Sequence, residues 1–120
     1  MSTILVADDE QPVREFIALV LGDAGHQTVL ASNGRQALEL LETERPDLVI
    51  SDVMMPLMSG LELCQRLKGA AETAAIPVIL MTSAGQRVAA DAGHDGFLAK
   101  PFELDVMEAL VERFLRLNGH

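Results

Sequence analysis

Polar side chains stand directly after each of five short apolar runs in the sequence, and the second run ends at Ser32 and Asn33, without a charged group. The residues at these positions whose side chains could bind a ligand or take part in a reaction are Asp8, Asp9, Asp52, Thr82 and Lys100. Three carboxylates and one ammonium group leave an excess of negative charge, which favours a bound cation. Ligands that are all oxygen select Mg²⁺, Mn²⁺ or Ca²⁺ over zinc, and Mg²⁺ commonly binds one or two carboxylates together with a phosphate. The pattern therefore predicts a small divalent-cation site that attracts a phosphoryl group.

The apolar runs and the segments between them predict alternating strands and helices. The runs are residues 4–7, 28–31, 48–51, 78–81 and 96–99. Most are continuous rather than alternating, which is typical of strands covered on both faces of a parallel sheet. We therefore predict an α/β fold with a five-stranded parallel sheet, doubly wound through right-handed crossovers. Because the C-terminal ends of parallel strands lie along one edge, such a fold brings the candidate residues together.

The predicted helices differ in how clearly the sequence marks them. The first predicted helix carries an apolar face that is expected to pack against the sheet. The residues at the spacing of this face are Val13, Phe16, Ile17, Val20 and Leu21. A second opens at an Asn-Gly turn, a third starts near a Ser-Gly pair, and the last has the clearest apolar stripe. The stretch before the fifth strand holds two glycines and little apolar material, so we expect a short helix of about two turns there.

Composition restricts the classes of function. The 120 residues predict one domain over residues 1–120, with 18 acidic and 9 basic side chains. A net charge of −9 disfavours direct binding to nucleic acid and to anionic membranes. A single cysteine, Cys64, excludes an intrachain disulfide, and its place on a helical apolar stripe predicts an inert core residue. Residues 1–4 do not resemble a signal peptide and no apolar run reaches membrane-helix length, so we expect a cytoplasmic protein.

Four motifs, in order and each at a strand end, resemble the receiver domain of two-component response regulators, and of chemotaxis regulators in particular. They are LVADDE at 5–10, SDVMMP at 51–56 continuing to Gly60, MTSA at 81–84 and GFLAKPF at 96–102. Each motif alone is a weak signal, whereas the four together form a strong one. The resemblance covers essentially all of the chain and implies the flavodoxin-like (βα)5 receiver fold.

The resemblance implies a phosphoacceptor and a magnesium site. Asp52 is the implied acceptor, whose carboxylate attacks a phosphohistidine and forms an acyl phosphate. Asp9 is implied to bind Mg²⁺ directly, with Mn²⁺ as a possible substitute, and Asp8 to act largely through water. The carboxylate of Asp52 and the backbone carbonyl of Met54 complete the implied protein ligands.

The resemblance also implies how phosphorylation is read out. Lys100 pairs with the phosphoryl group and the Thr82 hydroxyl bonds one of its oxygens. Phe97, which stands three residues before the lysine, is then expected to turn inward and alter the outer face. It replaces a tyrosine, so this switch relies on packing alone. Thr82 and Lys100 are 18 residues apart, about one helical turn less than in most receivers, and the loss falls in the short fourth helix.

The expected function is a phosphorylation-activated signalling switch that acts through protein–protein contacts. Its expected partners are a sensor histidine kinase or a histidine phosphotransfer protein and an unidentified downstream protein, with the domain a monomer or weak dimer. It is expected to catalyse its own phosphorylation and a slow autodephosphorylation, and not to be an enzyme for external substrates. The output stays open between a stand-alone regulator, a phosphoryl relay and a domain of a longer protein.

Three other interpretations of the same residues stay open. A phosphorylation-independent interaction module uses the same fold without the chemistry. An aspartyl-nucleophile phosphatase is disfavoured, because such enzymes want a second acid where Met54 stands. Finally, acidic residues after a strand often cap the next helix, which explains Glu10 and one of Asp8 or Asp9 equally well.

Overall fold

Residues 2–89 and 92–117 of the computed structural model are described here, and they form one layered α/β unit. The strands are β1 (Thr3–Ala7), β2 (Gln27–Ala31), β3 (Leu48–Asp52), β4 (Val78–Thr82) and β5 (Gly96–Ala99). The α-helices are α1 (Gln11–Asp23), α2 (Gly34–Glu44), α3 (Gly60–Gly69) and α4 (Leu104–Leu117). All strands pair in parallel in the order β2-β1-β3-β4-β5. The predicted sheet is confirmed, with each strand found within one residue of its predicted bounds.

Two apolar cores lie on opposite faces of the sheet, as expected for strands that are covered on both sides. Successive β1 residues alternate between them: Leu5 packs with α2 and α3, whereas Ile4 packs with α1 and α4. The central strands β1, β3 and β4 are almost wholly buried. Polar groups in these strands are therefore confined to the ends, which is where the candidate residues stand.

The starts of α2 and α3 follow the turn chemistry of the sequence, whereas the start of α1 does not. The Asn33 side chain accepts a hydrogen bond from the Gln36 amide at 2.7 Å and so caps α2. Ser59 caps α3 in the same way, with its hydroxyl accepting from the Glu62 amide at 3.2 Å. In α1, by contrast, the residue at the cap position is Glu10, and within the described residues its side chain makes no capping bond.

The predicted apolar face of α1 is wrong at one position. Ile17 and Leu21 are fully buried against the sheet, whereas the Phe16 side chain remains 46% exposed. The helix thus contacts the sheet along a narrower stripe than its periodicity predicts. Phe16 instead lines an open groove with the chain that follows β5.

The connection between β4 and β5 holds a single 3₁₀ turn, Gln86–Ala89, in place of the two-turn helix predicted there. The described residues of this connection contain no α-helix, and residues 90 and 91 lie outside the description. The segment is fastened to α3 by two side chains. Cys64 donates through Sγ to the Ala92 carbonyl at 3.3 Å, and Lys68 Nζ donates to Asp95 Oδ2 at 2.7 Å.

Cys64 is fully buried, as predicted. None of the helices in the described part of the chain has the length and apolar character required to span a bilayer.

Candidate functional site

The register of the sheet aligns the ends of its strands along one edge. Asp52 is the last residue of β3 and stands opposite Met81, and Thr82 is the last residue of β4 and stands opposite Ala99. The residue after β5 stays in register as well, because the Lys100 amide donates to the Thr82 carbonyl at 3.0 Å. The ends of the central strands and β5 therefore face one small region above the sheet.

Lys100 is the centre of this region. Its Nζ atom donates to Asp8 Oδ2 at 2.8 Å and to Asp52 Oδ2 at 3.1 Å. Asp8 is fully buried and Asp52 is only 6% exposed. The structure therefore brings together three residues that are 44 or more positions apart in sequence, in a hydrogen-bonded ion-pair cluster. Charge-assisted bonds of this kind are stronger than neutral ones.

Glu10 joins this cluster although the sequence analysis treated it only as a possible helix cap. Its Oε1 atom lies 3.6 Å from Lys100 Nζ. Carboxylate oxygens of Asp8, Glu10 and Asp52 lie within 4.8 Å of one another. The signal available in the sequence was the third acid of the Asp-Asp-Glu triplet, which faces the site instead of the helix end.

Asp9, the predicted direct magnesium ligand, is placed differently from Asp8. It is exposed and does not belong to the group of close carboxylates found among the described residues. Met54, the predicted carbonyl ligand, follows Asp52 by two residues, and its amide donates to Asp52 Oδ1 at 3.3 Å. The assignment of Asp9 and Met54 to a metal ion stays a prediction.

The donor set suits a hard divalent cation. Its side-chain donors among the described residues are carboxylate oxygens, which is the ligand chemistry that Mg²⁺ and Mn²⁺ prefer. Three carboxylates around one ammonium group leave two uncompensated negative charges. The acidic cluster can therefore accommodate a divalent ion, as receiver domains generally do.

Burial and charge shift two ionisable groups of the site. Burial raises the pKa of Asp52 above its usual value, and the adjacent Lys100 ammonium opposes this only in part. For Lys100, burial lowers the pKa, but the hydrogen bonds and negative charges of Asp8 and Asp52 outweigh it and raise the net value. Lys100 is thus held firmly as a cation, while the charge on Asp52 is disfavoured by its surroundings.

Thr82 and Phe97, the predicted switch residues, lie on the neighbouring strands β4 and β5, where Phe97 stands opposite Leu80, two residues before Thr82. Thr82 is buried, and its Oγ1 accepts a hydrogen bond from the Ala84 amide at 3.1 Å. Phe97 is half-buried against the core on the α2 and α3 side. Its ring meets that of His94 edge-on, with centroids 6.4 Å apart.

The loop that follows Asp52 approaches the strand end closely. The Gly60 amide donates to the Val53 carbonyl at 2.9 Å. A Cβ atom at Gly60 would collide with the backbone carbonyl oxygen of Asp52, so a side chain here would displace the residue at the centre of the site. Leu57, at the tip of the loop, has a positive φ of 68°.

An open groove of about 590 Å³ adjoins the cluster on the α1 side. Its lining residues are Glu10, Pro12, Val13, Phe16, Ser83, Lys100, Pro101 and Phe102. Apolar surface therefore extends directly up to the charged site.

Fold and site together define a receiver domain, and comparison with known families agrees. The family model described as "Response regulator receiver domain" matches residues 4–112, and the chain belongs to that family. It is 42% identical over 117 residues to the response regulator MprA of Mycolicibacterium vanbaalenii, covering 94% of this chain and 50% of that protein. The chain thus spans about half the length of the curated relatives it matches.

Solved structures give the same result. The signal receiver domain of a signal transduction histidine kinase from Syntrophus aciditrophicus superimposes with a TM-score of 0.92 at 38% identity, covering 97% of this chain and 91% of that one. The chemotaxis response regulator CheY4 of Vibrio cholerae gives 0.88 at 29% identity, covering 95% and 98%. The resemblance predicted from the motifs is therefore confirmed. The chain is a receiver domain of two-component response regulators, a class of phosphorylation-activated switches that accept phosphoryl groups from histidine kinases.

Proposed function

We propose that Asp52 is the phosphoacceptor of this receiver domain. The donor is a phosphohistidine on a sensor histidine kinase or a histidine phosphotransfer protein. A carboxylate oxygen of Asp52 attacks the phosphorus, the P–N bond breaks, and the imidazole leaves and takes up a proton. The observation that carries the proposal is a carboxylate that is only 6% exposed, disfavoured as an anion, and yet bonded to a lysine at the end of a central strand.

Lys100 and Thr82 act on the phosphoryl oxygens. Lys100 already donates to Asp8 and Asp52, so its ammonium group stands within reach of any anion attached to Asp52. Thr82 Oγ1 accepts a bond from the Ala84 amide, which leaves the hydroxyl proton available to donate. Both groups stabilise charge that develops at the transferred group, which is most of what a protein contributes to phosphoryl transfer.

Mg²⁺, or Mn²⁺ in its place, is the proposed cofactor. Asp8, Asp9, Asp52 and the Met54 carbonyl are its proposed ligands, and the position of Glu10 supports adding that carboxylate to the acidic environment. When bound, the ion neutralises the charge of the transferring phosphoryl oxygens. The protein's part is to hold the carboxylates together, which Lys100 does by pairing with them.

Phosphorylation is proposed to switch the domain through Thr82 and Phe97. The acyl phosphate takes the charge at Asp52 from about −1 toward −2, and the Thr82 hydroxyl moves to it. Phe97 then occupies the space that Thr82 leaves. The altered face binds a downstream protein, with the domain a cytoplasmic monomer or weak dimer. Apolar side chains at Met54 and Ala84 keep autodephosphorylation slow.

The test is phosphorylation by acetyl phosphate, followed by intact mass spectrometry. The wild type with Mg²⁺ is expected to gain a single phosphoryl adduct, which EDTA prevents. Asp52→Asn should gain none, whereas Asp23→Asn, which removes an exposed carboxylate at the end of α1, should behave like the wild type. An adduct on Asp52→Asn would assign the acceptor elsewhere. No adduct on the wild type would favour an interaction module that works without phosphorylation.

A further inference from the structure

The turn between β1 and α1 is held by bonds to every polar atom of Asp8. Its amide donates to the Ala31 carbonyl at 3.1 Å, and its Oδ1 accepts from the Glu10 amide at 2.8 Å. Its Oδ2 accepts from Lys100 Nζ at 2.8 Å. The fourth atom, the backbone carbonyl oxygen, accepts from Arg14 Nη1 at 2.6 Å. Three of these bonds hold Asp8 itself, whereas the fourth holds the peptide that leads on to Asp9.

Arg14 is suited to this task because α1 begins without a side-chain cap. Glu10 stands at the cap position but makes no capping bond within the described residues. The Arg14 amide donates to the Glu10 carbonyl at 3.1 Å, while its side chain reaches back to Asp8. One residue of α1 therefore fastens the turn at both of its ends.

The exposed Asp9 depends on this fastening more than its neighbours do. Its carboxylate makes no hydrogen bond or ion pair in residues 2–89 and 92–117, so its direction follows from the backbone of the turn. The Asp8 carbonyl and the Asp9 amide belong to one planar peptide group. A bond that fixes the Asp8 carbonyl therefore also fixes the position of the Asp9 backbone nitrogen.

We propose that Arg14 is a positioning residue for the cation site, acting through the Asp8 carbonyl to orient the acidic turn. This inference rests on the proposed function, since it assigns Arg14 a part in the same magnesium site. It makes a prediction opposite in sign to simple electrostatics. A positive charge close to the carboxylates repels Mg²⁺, so its removal by itself should tighten metal binding. Loss of positioning should weaken it.

The experiment compares Arg14→Met and Arg14→Lys with the wild type. Arg116→Met is the matched control, because it removes the same charge from an exposed site at the end of α4. Isothermal titration calorimetry gives the Kd for Mg²⁺. Amide hydrogen exchange of Glu10, measured by NMR without metal, reports on the turn itself.

Arg14→Met is expected to bind Mg²⁺ about 10-fold more weakly, the usual effect of removing a group that orients a metal ligand. Its Glu10 amide should exchange faster even without metal. Arg14→Lys keeps the charge and one donor, and should recover most of the affinity. Arg116→Met should match the wild type in both measurements.

Tighter or unchanged Mg²⁺ binding by Arg14→Met, with unchanged exchange at Glu10, would overturn the inference. If Arg14→Met does not fold, Arg14→Ala, which also lacks the charge and the donor, decides in its place: tighter or unchanged Mg²⁺ binding together with wild-type exchange at Glu10 would count against positioning. Failure of the proposed function looks different, because the wild type itself would then bind no Mg²⁺ or gain no phosphoryl group. The Glu10 exchange rate still tests the role of Arg14 in that case.

Discussion

Replacing Lys100 by methionine removes the only ammonium group that contacts the acidic cluster within the described residues, while it keeps a side chain of similar length. Asp8 and Asp52 then lose their charged partner, and both are almost completely buried. The apolar part of the lysine is largely retained by methionine. The change therefore isolates the charge and its hydrogen bonds.

The expected decrease in the free energy of unfolding of Lys100→Met can be bounded. Removing one partner of a buried ion pair costs about 3 to 5 kcal/mol, because the remaining charge has no compensation. Here one carboxylate can take up a proton instead, which points to the lower end, about 3 kcal/mol at pH 7. A domain of this size has about 5 to 15 kcal/mol of stability in total, so the loss is large but need not unfold it.

The pH dependence has a defined sign. Burial already raises the pKa of Asp52 in the folded protein, and loss of the adjacent cation raises it further. A carboxyl group whose pKa is higher in the folded than in the unfolded state favours folding below its unfolded pKa. That contribution is lost as the pH rises through the folded value. The deficit of Lys100→Met should therefore shrink as the pH falls from 7 toward 4.

Urea unfolding followed by far-ultraviolet circular dichroism measures this, since the protein has no tryptophan or tyrosine for fluorescence. The free energy of unfolding is compared at pH 7 and pH 5, in EDTA and in saturating Mg²⁺. Arg116→Met serves as the control and should change it by less than about 0.5 kcal/mol. Added Mg²⁺ should stabilise Lys100→Met more than the wild type, because the ammonium group no longer competes for the carboxylates. A deficit below about 0.5 kcal/mol in EDTA at pH 7, or one that grows in acid, would refute the electrostatic reasoning.

Three further predictions follow from the same structure. Asp52→Asn should stabilise the metal-free protein by about 1 kcal/mol, because burial disfavours the charge on Asp52 and Lys100 keeps its bond to Asp8; thermal unfolding in EDTA measures this, and a lower Tm would contradict it. Gly22→Ala should stabilise the protein by about 0.5 kcal/mol, since Gly22 is helical with open space around it. Gly25→Ala should destabilise the protein by about 1 kcal/mol, because Gly25 has a φ of 94°. Equal effects of the two substitutions in urea titrations would count against this. Burial raises the pKa of the Cys64 thiol, so iodoacetamide should label it only after unfolding, and rapid labelling of the native protein would be incompatible with its position.

The fold and the location of the site follow from the sequence because both rest on local signals. Continuous apolar runs identify the buried strands, and the first polar residue after each run identifies where the strand ends. Parallel pairing then brings Asp8, Asp52 and Lys100 together whatever lies between them. What the sequence does not contain is the division of bonds among them: Lys100 lies closer to Asp8 than to Asp52. That geometry depends on side-chain directions at three separate strand ends.

The helix predicted between β4 and β5 shows the limit of composition as a guide to secondary structure. Two glycines and few apolar residues predict a weak helix, and the described residues have a 3₁₀ turn instead. Gly85 and Gly93 both adopt positive φ angles, 97° and 81°, which a continuous helix does not allow. Part of the stability of this segment comes from Lys68 and Cys64 on α3, contacts that no local pattern of the segment predicts.

Glu10 and Phe16 depart from expectation for a shared physical reason. Helical periodicity and capping preferences assume that a helix packs against one sheet face and that its end is open to solvent. The start of α1 has a different environment, because the chain after β5 runs beside it and carries Lys100 and Phe102. The Glu10 carboxylate lies 3.6 Å from the lysine ammonium instead of folding back to the helix amides, and Phe16 lines the groove between the two segments. Sequence rules for an isolated helix fail where another strand end supplies the neighbours, and here that place is the edge of the site.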